Sequence, residues 1–415
     1  MGKGLRESSE RRCSSLATST AKQFQMTQEY DLNQPIYQAG ESAMSMANLL
    51  AYFVDPNYQR GNLSRISDMH VKVGRPVSFR IDDDLTPVPE GAAVTDEVIR
   101  YMLGIILSEK HREIAFGDSP EDVDTGYEWA DGGVNFRLNI FRDRDGLAFV
   151  MRVLSSVVPD IESLGLPSEN IWRDITELKR GLVLVTGVTG SGKSTTIAAM
   201  INHINKYRKT RIITLEDPVE FIFKSESSMV SQRQVGQNVG SFSGGLRSAL
   251  RENPDVIFVG EVRDQETATL ALSAAETGHL VFSTLHTRDA KGALSRIVDM
   301  FPAEQTKSLC LQLSFSLSYV LSQKLVPRAD GSGRLLVMEV LKNVPAIGNL
   351  IRTGNWQQVY STMETQAKEG MMTMEQHLLH LYRHGAITKQ DAIIYTNEAS
   401  LLDRLAQIEA EAQGS

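Results

Sequence analysis

The chain has 415 residues, with 43 lysines and arginines against 51 aspartates and glutamates, a formal net charge of −8. That length supports two or three domains with proper cores, and the mildly acidic balance argues against broad nucleic-acid binding, which needs a basic face. The two cysteines, Cys13 and Cys310, stand far apart and form no C-x-x-C pair, so no thiolate zinc site can be built and a reducing compartment is the natural setting.

The opening MGKGLRESSERRCSSLATST is basic and rich in serine and threonine but has no apolar centre, so it does not read as a secretory signal. Residues 1–42 are expected to be a disordered polar tail. Apolar residues Met44, Met46, Leu49, Leu50 and Phe53 recur at helical spacing, which predicts a helix over Glu41–Val54. Residues 43–157 then read as a small α+β domain of strands with one helix near Thr95–Ser108. Within it Val134, Phe136, Leu138 and Ile140 alternate with Asn135, Arg137 and Asn139, the period of a half-buried strand. A turn over Asp143–Gly146 leads into a second apolar run, Leu147–Leu154.

Residues 158–172 read as a linker. From 173 to 342 short apolar runs at Leu182–Thr186, Ile212–Leu215, Val256–Val259, Val281–Thr284 and Leu335–Val340 are separated by helical segments. That alternation predicts an α/β fold with a mainly parallel sheet and helices on both faces. Residues 343–415 read as helical, with breaks at Gly354, Gly370 and Gly385. No apolar run approaches the roughly 20 residues of a membrane span, and the chain is expected in the cytoplasm.

The run GLVLVTGVTGSGKSTT, Gly181–Thr196, carries the clearest chemistry. A buried strand leads into Gly187–Ser194, which fits G-x-x-x-x-G-K-[ST], and a helix follows. Glycines let the backbone curl so that N–H groups face a phosphate, and the helix N-terminus adds partial positive charge. Lys193 is placed to reach the β- and γ-phosphates of a nucleotide, and the Ser194 hydroxyl to ligate Mg²⁺. The candidate nucleotide-binding set is Gly187, Val188, Thr189, Gly190, Ser191, Gly192, Lys193, Ser194 and Thr195.

In such sheets ligands bind at the carboxyl ends of the strands. Glu216 follows one predicted strand and Glu261 another, so each puts a carboxylate on the phosphate side. One can hold Mg²⁺ through water, and the other can orient or deprotonate an attacking water; each alone also reads as a helix cap. His279 precedes a strand and His286 follows it, which favours His286 as a phosphate sensor. Arg137, Arg144 and Arg152 are either a solvated strand face or arginines supplied to a phosphoryl-transfer site.

GVTGSGKSTT, IITLEDPVEF (Ile212–Phe221), LRENPDVIFVGEVRD (Leu250–Asp264) and AETGHLVFSTLHT (Ala275–Thr287) together resemble the four nucleotide motifs of the secretion-ATPase superfamily, and within it the PilT family of pilus-retraction ATPases. The similarity runs from Ser67 to Asn397 and includes SDMHVKVGRPVSFRIDD and NFRLNIFRDR upstream. It implies a PAS-like α+β N-terminal domain, a RecA-like P-loop domain, a homohexameric ring, ATP and Mg²⁺ as ligands, and ATP bound between the two domains. It also implies roles: Glu216 as general base, Glu261 as the metal-side glutamate with Ser194, His286 as reader of the γ-phosphate, and Arg137, Arg144 and Arg152 as completing the site. The partner it implies is a pilus platform protein at the inner membrane, with peripheral association only and no nucleic acid.

One departure stands out. The family's helix AIRNLIRE, linked to retraction, reads AIGNLIRT here, Ala346–Thr353, so Gly348 and Thr353 remove two charges. Pilus-extension and type II/IV secretion ATPases are the nearest competitors, but they usually carry a four-cysteine zinc insertion, which this sequence lacks. An accessory retraction paralogue and, outside the family, a nucleic-acid motor are the remaining alternatives.

Overall fold

The computed structural model describes residues 30–60, 63–82, 84–117, 121–154, 158–398 and 405. The chain forms two compact units, Met1–Leu154 and Ser155–Ser415.

The first unit opens with a hairpin, β1 (Pro35–Ala39) and β2 (Ser42–Ser45). The helix expected from Glu41 starts only at Met46. Ser45 caps it: the Asn48 N–H donates to the Ser45 hydroxyl and the Asn48 side chain receives the Ser45 N–H, a reciprocal capping box that sets the boundary. The first 29 residues of the expected tail lie outside the described residues. A short pair, β3 (Gln59–Arg60) and β4 (Leu63–Ser64), precedes the main sheet.

That sheet holds β5 (Ile66–Lys72), β6 (Ser78–Ile81), β7 (Asp84–Pro87), β8 (Val123–Trp129), β9 (Val134–Asp143) and β10 (Gly146–Leu154), in the order β7-β6-β5-β10-β9-β8, all antiparallel. The alternation read in β9 holds: Phe136, Leu138 and Ile140 are buried, and Arg137 lies on the opposite, solvated face. Where one helix was expected there are two, Asp96–Ile106 and Glu109–Phe116. Ser108 separates them because its hydroxyl accepts the His111 N–H and starts a new helix.

The second unit is built on a seven-stranded sheet: β11 (Gly181–Thr186), β12 (Arg211–Glu216), β13 (Met229–Gln234), β14 (Val256–Val259), β15 (Leu280–Leu285), β16 (Leu317–Pro327) and β17 (Arg334–Lys342). The order is β13-β12-β14-β15-β11-β16-β17, and every neighbour is parallel except β17 against β16. All six residues of β11 are buried, as expected for a central parallel strand covered on both faces.

Two of these strands gave no sequence signal. The polar edge strand β13, MVSQRQ, lacks an apolar run, and Met229 is exposed on it. The long β16 follows the helix Thr306–Ser316 with no glycine or proline between them, so the two apolar stretches merge. The stretch read as a linker is not free of the core. Ile161, Ile171 and Trp172 are buried with Val183 and Met200, and the Trp172 ring meets His203 edge-on.

The C-terminal region is helical, at Pro345–Thr353, Val359–Thr365, Met374–Arg383 and Lys389–Tyr395. The breaks at Gly354, Gly370 and Gly385 have φ of 66°, 86° and 66°, the left-handed stop that glycine adopts most readily. Gly348 is buried, and a Cβ there would stand 3.3 Å from Asn343 Oδ1.

Phe282 of β15, the partner of Val183 on β11, is fully buried in the layer on one face of the sheet. Phe282→Ala is expected to destabilise the second unit by about 3–5 kcal/mol, read as a lowered urea midpoint; a loss under about 1 kcal/mol would mean that this layer collapses into the space.

Candidate active site

The central parallel strands end on one edge, and neighbouring strands lie about 4.8 Å apart. In sheet order that edge carries Glu216 at the end of β12, Glu261 after β14, His286 after β15 and the loop Gly187–Ser194 after β11. Gln323 comes next, on β16, which runs on past the edge. Chain-distant residues thus become neighbours.

The loop has the shape its glycines predict. Gly187, Gly190 and Gly192 have φ of 148°, 78° and 86°. At Gly187 a Cβ would lie 2.5 Å from the Gln323 carbonyl oxygen, so no other residue fits without moving β16. Gly192 is the left-handed cap of the helix Lys193–Tyr207, whose first N–H groups have no intrahelical partner. Lys193 is buried, and its Nζ donates to the carbonyls of Gly187 (2.8 Å) and Val188 (3.0 Å). Burial lowers its pKa, against the opposing pull of Glu220 and Glu261.

Glu216 is buried at 6 % exposure. Its Oε1 accepts from the Thr214 hydroxyl (2.6 Å) and from Gln232 Nε2 (3.1 Å). Burial nevertheless dominates and pushes the carboxyl up to about 7. Glu261 is held differently. The Gly260 N–H donates to Leu215 O (2.8 Å), and the Thr284 hydroxyl donates to Gly260 O (2.6 Å), so β12 and β15 clamp the turn that carries it. Its carboxylate pairs with Arg263, and His286 Nε2 lies 3.4 Å from its second oxygen. Glu261, His286 and, through electrostatics, Lys193 are therefore brought together.

His279 is not part of this edge. It stands before β15, and its Nδ1 lies 2.9 Å from Ala274 O, closing the end of the helix Gln265–Glu276. The arginines belong to the first unit. Arg137 and Arg152 sit directly opposite each other across β9 and β10. Arg152 Nε donates to the buried Asp68 (2.6 Å), and Arg137 Nε lies 3.7 Å from Asp124. Arg144 stands apart on the hairpin turn, beside Asp145 and almost fully exposed.

Sequence reasoning missed Gln232, Glu220 and Gln323. Gln232 lies on the unrecognised β13. Glu220 was legible as the third acid of LEDPVE. Gln323 lies on the equally hidden β16. Among the described residues no three histidine, cysteine or acidic side chains cluster to hold a metal. The donor set here, one serine hydroxyl and one carboxylate beside a phosphate loop, suits Mg²⁺, which keeps waters and phosphate oxygens as its remaining ligands.

The family model described as type II/IV secretion system protein matches residues 50–391. The chain is 41 % identical to a type IV pilus retraction ATPase, PilT, of Pseudomonas aeruginosa, over 79 % of this chain and 93 % of that protein. It is 36 % identical to the type IV pilus ATPase PilU of the same organism, over 83 % and 89 %. Among solved structures it is similar to the pilus retraction motor PilT with bound ADP, with a TM-score of 0.75, 43 % identity, and coverage of 82 % of this chain and 95 % of that one.

The folded value of about 7 for Glu216 lies above the 4.5 of an exposed glutamate. Its stabilising contribution is therefore complete below pH 4.5 and is lost as pH rises through 7. Glu339 in β17, also buried and pushed up to about 7, acts in the same direction. Glu216→Gln is expected to raise unfolding stability at pH 8 by about 1–3 kcal/mol and to change it far less at pH 4, measured by urea unfolding at both. An equal effect at both pH values would place the carboxyl in water.

Proposed function

The chain belongs to the type II/IV secretion system protein family, and on that footing we propose that it is an ATP-hydrolysing ring motor that drives retraction of type IV pili. One observation carries the reading. A phosphate loop and two strand-end carboxylates share one sheet edge, in a chain that spans 93 % of a pilus retraction ATPase at 41 % identity.

The residues present suit ATP. The N–H groups of Gly187–Thr195 and the helix N-terminus would receive the phosphates, with Lys193 turning from the Gly187 and Val188 carbonyls to the β- and γ-phosphates. Mg²⁺, held by Ser194 and by Glu261 directly or through water, would supply charge neutralisation on the transferred phosphoryl group. Glu216 is the general base in this reading. A carboxyl poised near pH 7 can take a proton from the attacking water at neutral pH. His286, within reach of Glu261, would report whether the γ-phosphate is present. Arg137, Arg144 and Arg152 would stabilise the developing charge, as arginines from a second domain or subunit do in phosphoryl transfer.

We further propose a homohexamer that works at the inner face of the inner membrane against a pilus platform protein. No described helix is long and apolar enough to cross a membrane, so attachment would come through partners. A second reading is an accessory retraction ATPase. The loss of two charges at Gly348 and Thr353 in the segment that reads AIGNLIRT favours it.

The role of Arg137 is separable from folding because its side chain lies on the solvated face of β9. Arg137→Ala is expected to slow ATP turnover about tenfold or more with an unchanged melting temperature; a normal rate would return this arginine to the solvated-face reading. In the host, replacing the protein with Glu261→Ala is expected to give excess surface pili and no surface motility. Bare cells would mean that the protein powers pilus assembly, and an unchanged count would favour the accessory role.

A further inference from the structure

Among the described residues, the side chain of Gln323 makes its one hydrogen bond to the phosphate loop. It lies on β16, which runs parallel to β11 with Ser322 opposite Thr186, and the Thr186 hydroxyl donates to Ser322 Oγ at 2.9 Å. One residue further on, β11 turns into the loop and β16 continues as Gln323. The side chain is 1 % exposed, and its Nε2 donates to the Ser191 carbonyl at 2.7 Å. Its backbone oxygen lies against Gly187, and Nε2 stands 3.3 Å from where a Gly192 Cβ would be. Gln323 thus touches the loop at its start and at its end.

We infer that Gln323 is a positioning residue for the nucleotide: it holds the Ser191 carbonyl outside the loop and so aims the Gly192 N–H into it. The inference rests on the reading of Gly187–Ser194 as a nucleotide cradle. The geometry follows from the peptide bond. The unit is planar and trans, so the C=O of Ser191 and the N–H of Gly192 point in opposite directions. A donor behind the loop that fixes the carbonyl therefore fixes the amide in front. Gly192, at φ 86°, has no Cβ to restrict the Ser191–Gly192 peptide, so the orientation of that peptide depends on such an anchor.

The residue type fits the task. A carboxylate at 323 would face the Ser191 carbonyl with another acceptor. An apolar side chain of the same length would fill the space and leave that carbonyl bare. A lysine or arginine would bury a second cation behind a loop that already buries Lys193. The other amide atom, Oε1, is buried with no partner among the described residues, so the side chain is not there to serve a wider polar network.

The test compares the full chain with Gln323→Met and Gln323→Glu, both near the native volume, and with Lys193→Ala. The probe is ADP with Mg²⁺, its Kd measured by calorimetry at a temperature where each variant is folded by circular dichroism. The melting temperature is recorded with and without ADP. We expect Kd to rise about tenfold in Gln323→Met and at least as far in Gln323→Glu, with a smaller ADP-induced rise in melting temperature. Either variant binding ADP as the native chain does, even with a lowered melting temperature, overturns the inference and leaves Gln323 a packing residue. Should the native chain itself not bind ADP, or bind it as Lys193→Ala does, the cradle reading fails, and this inference with it. That result is distinct from tight native binding unaffected at position 323.

Discussion

Parallel register is the constraint on which the rest of the site depends. β12, β14, β15 and β11 pair residue by residue in one direction, so their carboxyl ends fall on one edge, and β16 lies parallel to β11 with a register shift between Leu182 and Val183 and runs on past that edge. A slip of one residue in any of them would exchange the side chains packed against the layers on the two faces of the sheet. It would also move a chemical group off the edge. The anchors of the turns follow from the same register. Glu261 is presented by a turn clamped to Leu215 and Thr284 on the flanking strands, and Gly187 must be glycine because β16 passes behind it.

Exclusion of water then sets the chemistry along that edge. Burial lowers the pKa of Lys193 and raises that of Glu216, so both are pushed toward their neutral forms. For the lysine, two loop carbonyls accept from the ammonium. For the glutamate, hydrogen bonds from Thr214, Gln232 and the Glu220 backbone do not offset desolvation. A carboxyl kept near neutrality suits a base and costs stability at physiological pH, the usual trade at sites where function overrides packing.

The first unit obeys a simpler rule. Strict alternation in β9 sends Phe136, Leu138 and Ile140 into an aromatic-rich core and leaves Arg137 outside, level with Arg152 on β10. The exception is Asp68, at 1 % exposure on the polar face. Ser67 and Arg152 hold its charged form and bring its pKa below the ordinary value against the opposing effect of burial. A carboxylate so placed orients the guanidinium above it through Nε.

What the sequence determined by itself was whatever is local. The phosphate loop, the alternation of β9, the parallel strands with apolar runs and the glycine stops at Gly354, Gly370 and Gly385 all follow from short-range sterics and periodicity, and they could be read directly. The resemblance of four motifs added the family. Only the tertiary structure decided which residues meet. Nothing in MVSQRQ says that it pairs with β12 and delivers Gln232 to Glu216, and nothing in LSYVLSQKLVP says that Gln323 stands behind the phosphate loop. Those strands are specified by partners more than a hundred residues away or by an edge position. Single-chain periodicity reports burial against the average interior, not against a particular neighbour. The unusual pKa of Glu216 has the same origin, because desolvation is a property of everything packed around a group.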